Sequence, residues 1–359
     1  MLETLILTVK IAVATIFVLS LAGLLTWAER RQSAFIQDRL GPNRASIFGF
    51  RLIGLLHPLA DGIKMMMKED FVPAGADRTV HTIAPFIALF PAFVAFAVIP
   101  FGDRLTIFGH EVNLVVSEIN IGLLFVVAVM SIAIFGVFLG GWASNNKWSL
   151  LGALRSAAQM ISYEVTLGLT IIGVLMVYQS VRLDEIVRAQ GDLMFGFLPK
   201  WGIITQPIGF LLFFTAAMAE TKRTPFDLPE GESEIVAGYF LEYSGMKWGM
   251  FFMGEFAEIV VIAGVITSLF LGGWQIPWVS TAMLLNIFPG WLVALIQIGV
   301  FSLKVIALCW LQLTVRWTLP RFRYDQLMRL GWKMLLPVSL ANIFITGLVI
   351  LLLQHFMGA

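Results

Sequence analysis

Eight stretches of about twenty mostly apolar residues dominate this chain, at roughly 5–28, 82–101, 119–142, 156–178, 203–220, 250–272, 290–315 and 335–356. Each is long enough to cross a hydrocarbon layer about 30 Å thick as a helix. The composition agrees: of 359 residues, 58% are hydrophobic and 13% charged, where soluble domains carry about 25% charged residues. Mean hydropathy is +0.87, and the 30 Phe and 11 Trp suit lipid contact and interfacial belts. The expected fold is an all-α membrane protein of about eight transmembrane helices. It forms one polytopic domain over 1–359: a first helix in 1–28, a loop in 29–80, helices 2–5 in 82–220, an acidic loop in 221–249 and helices 6–8 in 250–356. The first run reads as a retained helix rather than a cleaved leader. Its start carries Glu3 instead of a basic cluster, no small-residue cleavage site follows, and Arg30 and Arg31 come after it. No internal repeat is visible.

Lysine and arginine fall very unevenly on the two sides of these spans. The connections reached after helix 1 hold Arg30, Arg31, Arg39, Arg44, Arg51, Lys64, Lys68 and Arg78, then Lys147 and Arg155, then Lys222, Arg223 and Lys247, then Arg316, Arg321, Arg323, Arg329 and Lys333. The opposite side holds Arg104, Arg182, Arg188 and Lys200. A bias of eighteen to four puts the first set in the cytoplasm and both termini on the outer face.

The 29–80 loop is too long for a simple connection. After Gly41-Pro42-Asn43, the residues His57, Asp61, Lys64 and Lys68 share one helical face, and Leu52, Leu55, Leu56, Leu59 and Ile63 fall largely on the other. This predicts a cytoplasmic-side amphipathic helix lying in the interface. Periodicity alone leaves two readings open: a surface anchor, or the wall of a site opening to the membrane at headgroup depth.

Ionisable residues inside spans are costly, about 2.5–3.5 kcal/mol each at a helix centre on the insertion scale. Glu164 falls about 14 Å into helix 4, counted from Arg155 at 1.5 Å per residue, and Glu255 and Glu258 lie on one face of helix 6. Lys304 in helix 7 is a candidate counter-charge. Interhelical hydrogen bonding would account for one such glutamate; three favour a proton path. Glu118, at the outer end of helix 3, suits an interfacial position. The connection that starts at Glu220 is unusual too, with Glu220, Asp227, Glu230, Glu232, Glu234 and Glu242 against Lys222, Arg223 and Lys247 on the side where cations should dominate. Pro225, Pro229 and Gly231 rule out a continuous helix there. Those acids are either plainly solvated or continue the line of Glu164, Glu255 and Glu258 to the cytoplasmic surface.

Other chemistries find no support. A net charge of +1 gives no ground for a nucleic-acid partner. A lone Cys309 excludes an internal disulfide and a cysteine-ligated metal site, and the four histidines are scattered. Nucleotide-binding and nucleophile motifs are missing. Gly136-x-x-x-Gly140 and Gly245-x-x-x-Gly249 read as helix-packing motifs.

Four blocks resemble a known family. They are Ala28-Glu-Arg-Arg-Gln-Ser-Ala-Phe-Ile-Gln-Asp-Arg-Leu-Gly-Pro-Asn-Arg44, the run from Ala143 to Glu164, Glu220-Thr-Lys-Arg-Thr-Pro-Phe-Asp-Leu-Pro-Glu-Gly-Glu-Ser-Glu234 continuing into Glu242-Tyr-Ser-Gly-Met-Lys247, and Leu319-Pro-Arg-Phe-Arg-Tyr-Asp-Gln-Leu-Met328. In this order they are similar to the H subunit of proton-translocating NADH-quinone oxidoreductase, respiratory complex I. The resemblance implies a subunit joining the membrane arm to the peripheral redox arm, with no complete active site of its own. It implies a quinone chamber involving Arg30, Arg31, Asp61, Lys68, Phe226 and Arg321, and a carboxylate path involving Glu164, Glu220, Glu230, Glu232, Glu234, Glu242 and Glu255. The quinone would be substrate, of a type the sequence leaves open. Iron–sulfur clusters and FMN would reside in partner subunits, with no metal or flavin held by this chain. Partners would be the other membrane-arm and peripheral-arm subunits and lipid, in a bacterial cytoplasmic (inner) membrane, with an organellar inner membrane as the lesser alternative. Competing readings are a quinone-independent membrane subunit of an energy-converting hydrogenase, an autonomous proton-coupled transporter, and a plain anchor for soluble partners.

Overall fold

The computed structural model describes residues 2–107, 110–194 and 196–357. Its helices are α1 (Leu2–Ile36), α2 (Leu56–Met67), α3 (Arg78–Phe96), α4 (Gly122–Ala143), α5 (Lys147–Tyr178), α6 (Leu183–Ala189), α7 (Gly202–Thr205), α8 (Pro207–Glu220), α9 (Glu232–Ile235), α10 (Gly245–Phe270), α11 (Thr281–Ile287), α12 (Gly290–Thr318), α13 (Tyr324–Arg329) and α14 (Leu336–Met357). A π-helical stretch, Leu330–Leu335, joins α13 to α14. Two small antiparallel hairpins, Arg104–Ile107 with His110–Asn113 and Leu193–Met194 with Leu198–Pro199, complete it. Seven helices among the described residues are long and apolar enough to cross a membrane: α1, α3, α4, α5, α10, α12 and the continuous α13–α14 rod.

The expected span at 203–220 is broken. Gln206 leaves helical geometry at φ −137, ψ 58, as the residue before a proline tends to, and Pro207 opens α8 as a new helix. At 1.5 Å per residue the 14 residues of α8 reach roughly 21 Å, short of a hydrocarbon layer about 30 Å thick.

α10 is the centre of the bundle. Some 83% of its most apolar window is buried against protein, compared with 22% for α1 and 17% for the α13–α14 rod. The carboxylates of Glu255 and Glu258 therefore face protein, not lipid. Close helix contacts follow from small residues: a Cβ at Gly136 of α4 would stand 2.3 Å from the Ala88 nitrogen of α3. The starts of α3 and α5 are capped by side chains, Asp77 accepting from Thr79 N and Val80 N at 3.0 and 3.1 Å and Asn146 from Trp148 N at 2.9 Å.

α2 is the expected amphipathic helix. Leu59, Ile63, Met66 and Met67 are exposed, while Met65 packs over Gly249 at the start of α10. Asp61, on the other face, pairs with Arg30 at the end of α1, Nη2 to Oδ2 2.5 Å.

Candidate functional site

The segment after α8 does not stand out in solvent. It folds back beneath the ends of α1, α5, α10 and α12, and Thr221, Lys222, Arg223, Phe226, Asp227 and Leu228 are all buried. Gln159 of α5, itself fully buried, anchors it by donating to the carbonyls of Ala219 at 2.7 Å and Phe226 at 2.8 Å. Phe322 N donates to the Pro225 carbonyl at 3.1 Å. Gly152 of α5 gives the close approach on the far side: a Cβ there would stand 2.6 Å from Gly238 Cα and 2.7 Å from Tyr239 N. Gly238 itself sits at φ +61, where glycine is the natural residue.

This fold-back delivers two cations to the acids of α10. Arg223 Nη2 lies 3.2 Å from Glu255 Oε2, with side chains 5% and 3% exposed. Its Nη1 lies 3.6 Å from Glu29 Oε2, and its guanidinium lies over the Phe256 ring at 4.2 Å. Lys222 Nζ lies 3.5 Å from Glu258 Oε2. Glu29 is shared with Arg316 of α12, at 2.9 Å, and Tyr239 Oη donates to Glu255 Oε1 at 2.7 Å. Arg321 closes onto Asp227 at 2.7 Å, with Phe226 edge-on to Tyr163 and tilted against Phe322.

These surroundings tune the loop groups. Burial alone would lower Lys222 and Arg223, but Glu258 and Glu255 beside them hold both above their ordinary values. Burial pushes Asp227 up despite Arg321. Glu230 is driven well up, first by burial and then by the Glu255 carboxylate to which it hydrogen-bonds.

Further into the bundle, Ser131 of α4 hydrogen-bonds to Glu164. Glu164 and Glu220 line one small cavity of about 20 Å³, otherwise apolar, with Val126, Met130, Phe213 and Val261 among its walls. That is room for about one water.

Most of the expected site residues therefore meet. Arg30 and Asp61 pair, Phe226 and Arg321 lie in one loop-lined cluster, and Glu220, Glu230 and Glu255 belong to one buried group near Glu164. Others diverge. Glu234 pairs with Arg155, in the third turn of α5, at 2.7 Å, and Glu242 accepts from Asn146, at its start, at 2.6 Å. Lys68 is exposed, Arg31 folds over Gly41, and the Glu232 side chain lies outside the described residues. Lys304 is not the counter-charge of Glu255 or Glu258. Its ammonium donates to the carbonyls of Leu271, Gly273 and Gln275 at 2.7, 2.9 and 2.6 Å, closing the far end of α10. Glu118 accepts from Asn113 at 2.6 Å, beside the first hairpin.

The site also uses residues that the sequence marks only as charge or not at all: Glu29, Lys222, Arg223, Arg316, Tyr239 and Gln159. The signal for the cations is their adjacency, two in a row just ahead of Pro225 and two residues after Glu220 at the end of an apolar run.

Fold and site together define a polytopic membrane protein built around a buried chain of ion pairs. A family described as NADH dehydrogenase matches residues 9–347, and the chain belongs to that family. It is 49% identical over 343 residues to the NADH-quinone oxidoreductase H subunit numbered 1 of Geobacter metallireducens, covering 96% of each chain. It is 49% identical over 342 residues to the H subunit numbered 2 of Geobacter sulfurreducens, covering 95% of each. Against the corresponding H subunit of Thermomicrobium roseum, it is 48% identical over 334 residues, with 92% of each chain covered.

Proposed function

We propose that this chain is the subunit of a proton-translocating NADH-quinone oxidoreductase that helps form the quinone chamber and couples quinone reduction to proton movement, in a bacterial inner membrane with the acidic loop on the cytoplasmic side. The relatives' names supply the quinone. The observation that carries the coupling role is the run of ionisable groups from Asp61 and the exposed Arg30, through the partly buried Glu29, to the buried Arg223 and Glu255 with Glu230 beside them, then the buried Lys222–Glu258 pair, and on to Glu220 and Glu164. A plain anchor gains nothing from burying so many charges, each costly in the membrane.

On this reading the chamber lies behind α2, between its polar face and the Phe226–Arg321 loop cluster. Asp61, Arg30, Arg31, Lys68, Phe226 and Arg321 bind and orient the headgroup. Reduction alters the charge beside Arg321 and Asp227, and Asp227 sits close enough to Glu255 to feel it. A proton gained or lost by Glu230 then changes the field on Arg223 and Glu255, and the disturbance reaches Glu220 and Glu164 through the small cavity. Electrons arrive from partner subunits carrying flavin and iron–sulfur centres, and this chain supplies the protonatable groups.

The test is Glu164→Gln and Glu220→Gln in the assembled enzyme in vesicles. Loss of quinone reduction coupled to proton pumping, with assembly intact, is expected; normal activity and pumping in both would refute the coupling role. A photoreactive quinone separates the chamber assignment: labelled peptides near Asp61, Phe226 or Arg321 support it, and labels confined to other subunits refute it.

A further inference from the structure

The shortness of α8 leaves a gap on the side of the bundle away from the ion-pair chain. Because α8 begins only at Pro207, the space between the last turns of α5 and α14 is not filled to the surface. A cavity of about 510 Å³ occupies it, lined by Met176, Ile204, Ile208, Ile345, Val349 and Leu353. That volume is in the range of small-molecule sites, about 300–1,000 Å³. Its foot is polar but spent: Gln206 donates to Thr346 Oγ1 at 2.7 Å and accepts from Asn342 at 3.0 Å. What the foot presents is therefore mainly hydrocarbon. Gln354, at the rim, lies about 18 Å along α14 from Asn342 at 1.5 Å per residue.

The rim is different. Gln179, Lys200 and Gln354 stand there together. Of the four basic residues on that side, Arg104 pairs with Glu111, Arg182 with Asp184 and Glu185, and Arg188 with Asp103 and Asp184. Lys200 has no carboxylate partner among the described residues. An ammonium without a carboxylate partner among the described residues, lining with two amides a largely apolar slot, matches a phosphate headgroup with a hydrocarbon tail.

We propose that the cavity between α5, α8 and α14 is a binding site for an anionic phospholipid of the adjoining leaflet, with its phosphate on Lys200 and one acyl chain between α5 and α14. The lipid completes the outer part of a span that α8 is too short to fill.

The test uses the intact membrane assembly, purified through a tag on this chain and reconstituted with phosphatidylglycerol or phosphatidylcholine bearing the same photoreactive acyl chain. Crosslinks should map to the ends of α5 and α14. Labelling should be at least several-fold stronger for phosphatidylglycerol, and Lys200→Gln should reduce it to the phosphatidylcholine level. A second variant, Val349→Trp, fills the slot and should remove the crosslink while leaving Lys200 in place. Equal labelling by both lipids, no labelled peptide at the slot, or crosslinks from the slot to a helix of another subunit would each overturn the proposal.

Discussion

Arg223→Met removes the one cation within ion-pair distance of Glu255 among the described residues. The two groups lie 3.2 Å apart with 5% and 3% of their side chains exposed, so the pair is buried and water cannot substitute for the lost charge. Breaking such a pair from one side costs about 3–5 kcal/mol, because the partner is left charged in a low dielectric. At about 1.36 kcal/mol per decade, the unfolding equilibrium should move by roughly two to four decades. Glu29→Gln leaves Arg223 its Glu255 but takes from Arg316 the carboxylate it pairs with at 2.9 Å, so it too should be destabilising. The double variant Arg223→Met/Glu255→Gln removes both charges and should recover much of the loss, since replacing a whole buried pair by neutral groups is often tolerated. Detergent-titrated unfolding of the purified chain, followed by the fluorescence of its 11 tryptophans, measures each step of this cycle. A loss below about 1 kcal/mol for Arg223→Met, or a double variant as poor as the sum of the singles, would show that the pair is not the buried, mutually dependent unit described.

Glu230→Gln should flatten the pH dependence of stability. Its carboxyl is raised when folded, so its contribution is complete below the ordinary value of 4.5 and declines as pH climbs from there towards the folded value. The slope is at most about 1.4 kcal/mol per pH unit, and unchanged slopes in unfolding titrations between about pH 5 and 8 would contradict it. Gly152→Ala should push the 238–239 backbone away and cost about 1–3 kcal/mol, with quicker proteolysis of the acidic loop as the readout. Lys304→Met strips a donor from three carbonyls and should cost a few kcal/mol, at about 1–3 per unsatisfied group, without altering quinone reduction by the assembled enzyme; a matching loss of activity would place Lys304 in the proposed coupling path.

Hydropathy made the spans legible because a membrane-crossing helix writes its signature in consecutive residues. Only the 203–220 span misled, since its apolar run continues through Gln206-Pro207, where the backbone turns out of helix. The acids of α10 were legible for the same reason, each standing out in an apolar run. Their partners were not. Lys304 was the cation nearest in kind, another charge inside a span, yet its ammonium is spent on backbone carbonyls. The true partners come from a loop whose charged composition looks solvated. Long-range contacts turn it inward, among them the hydrogen bonds of Gln159 across 60 and 67 residues, and such contacts leave no periodic trace.

The fold-back of that loop has a consequence for how the chain is made. Lys222 and Arg223 precede Glu255 and Glu258 in the sequence, so both cations leave the ribosome before the helix whose acids they neutralise. α10 need not enter the bilayer as a doubly charged helix in search of partners. Its counter-ions are already waiting at the end of α8, and synthesis order itself lowers the barrier to inserting the most deeply enclosed helix of the bundle.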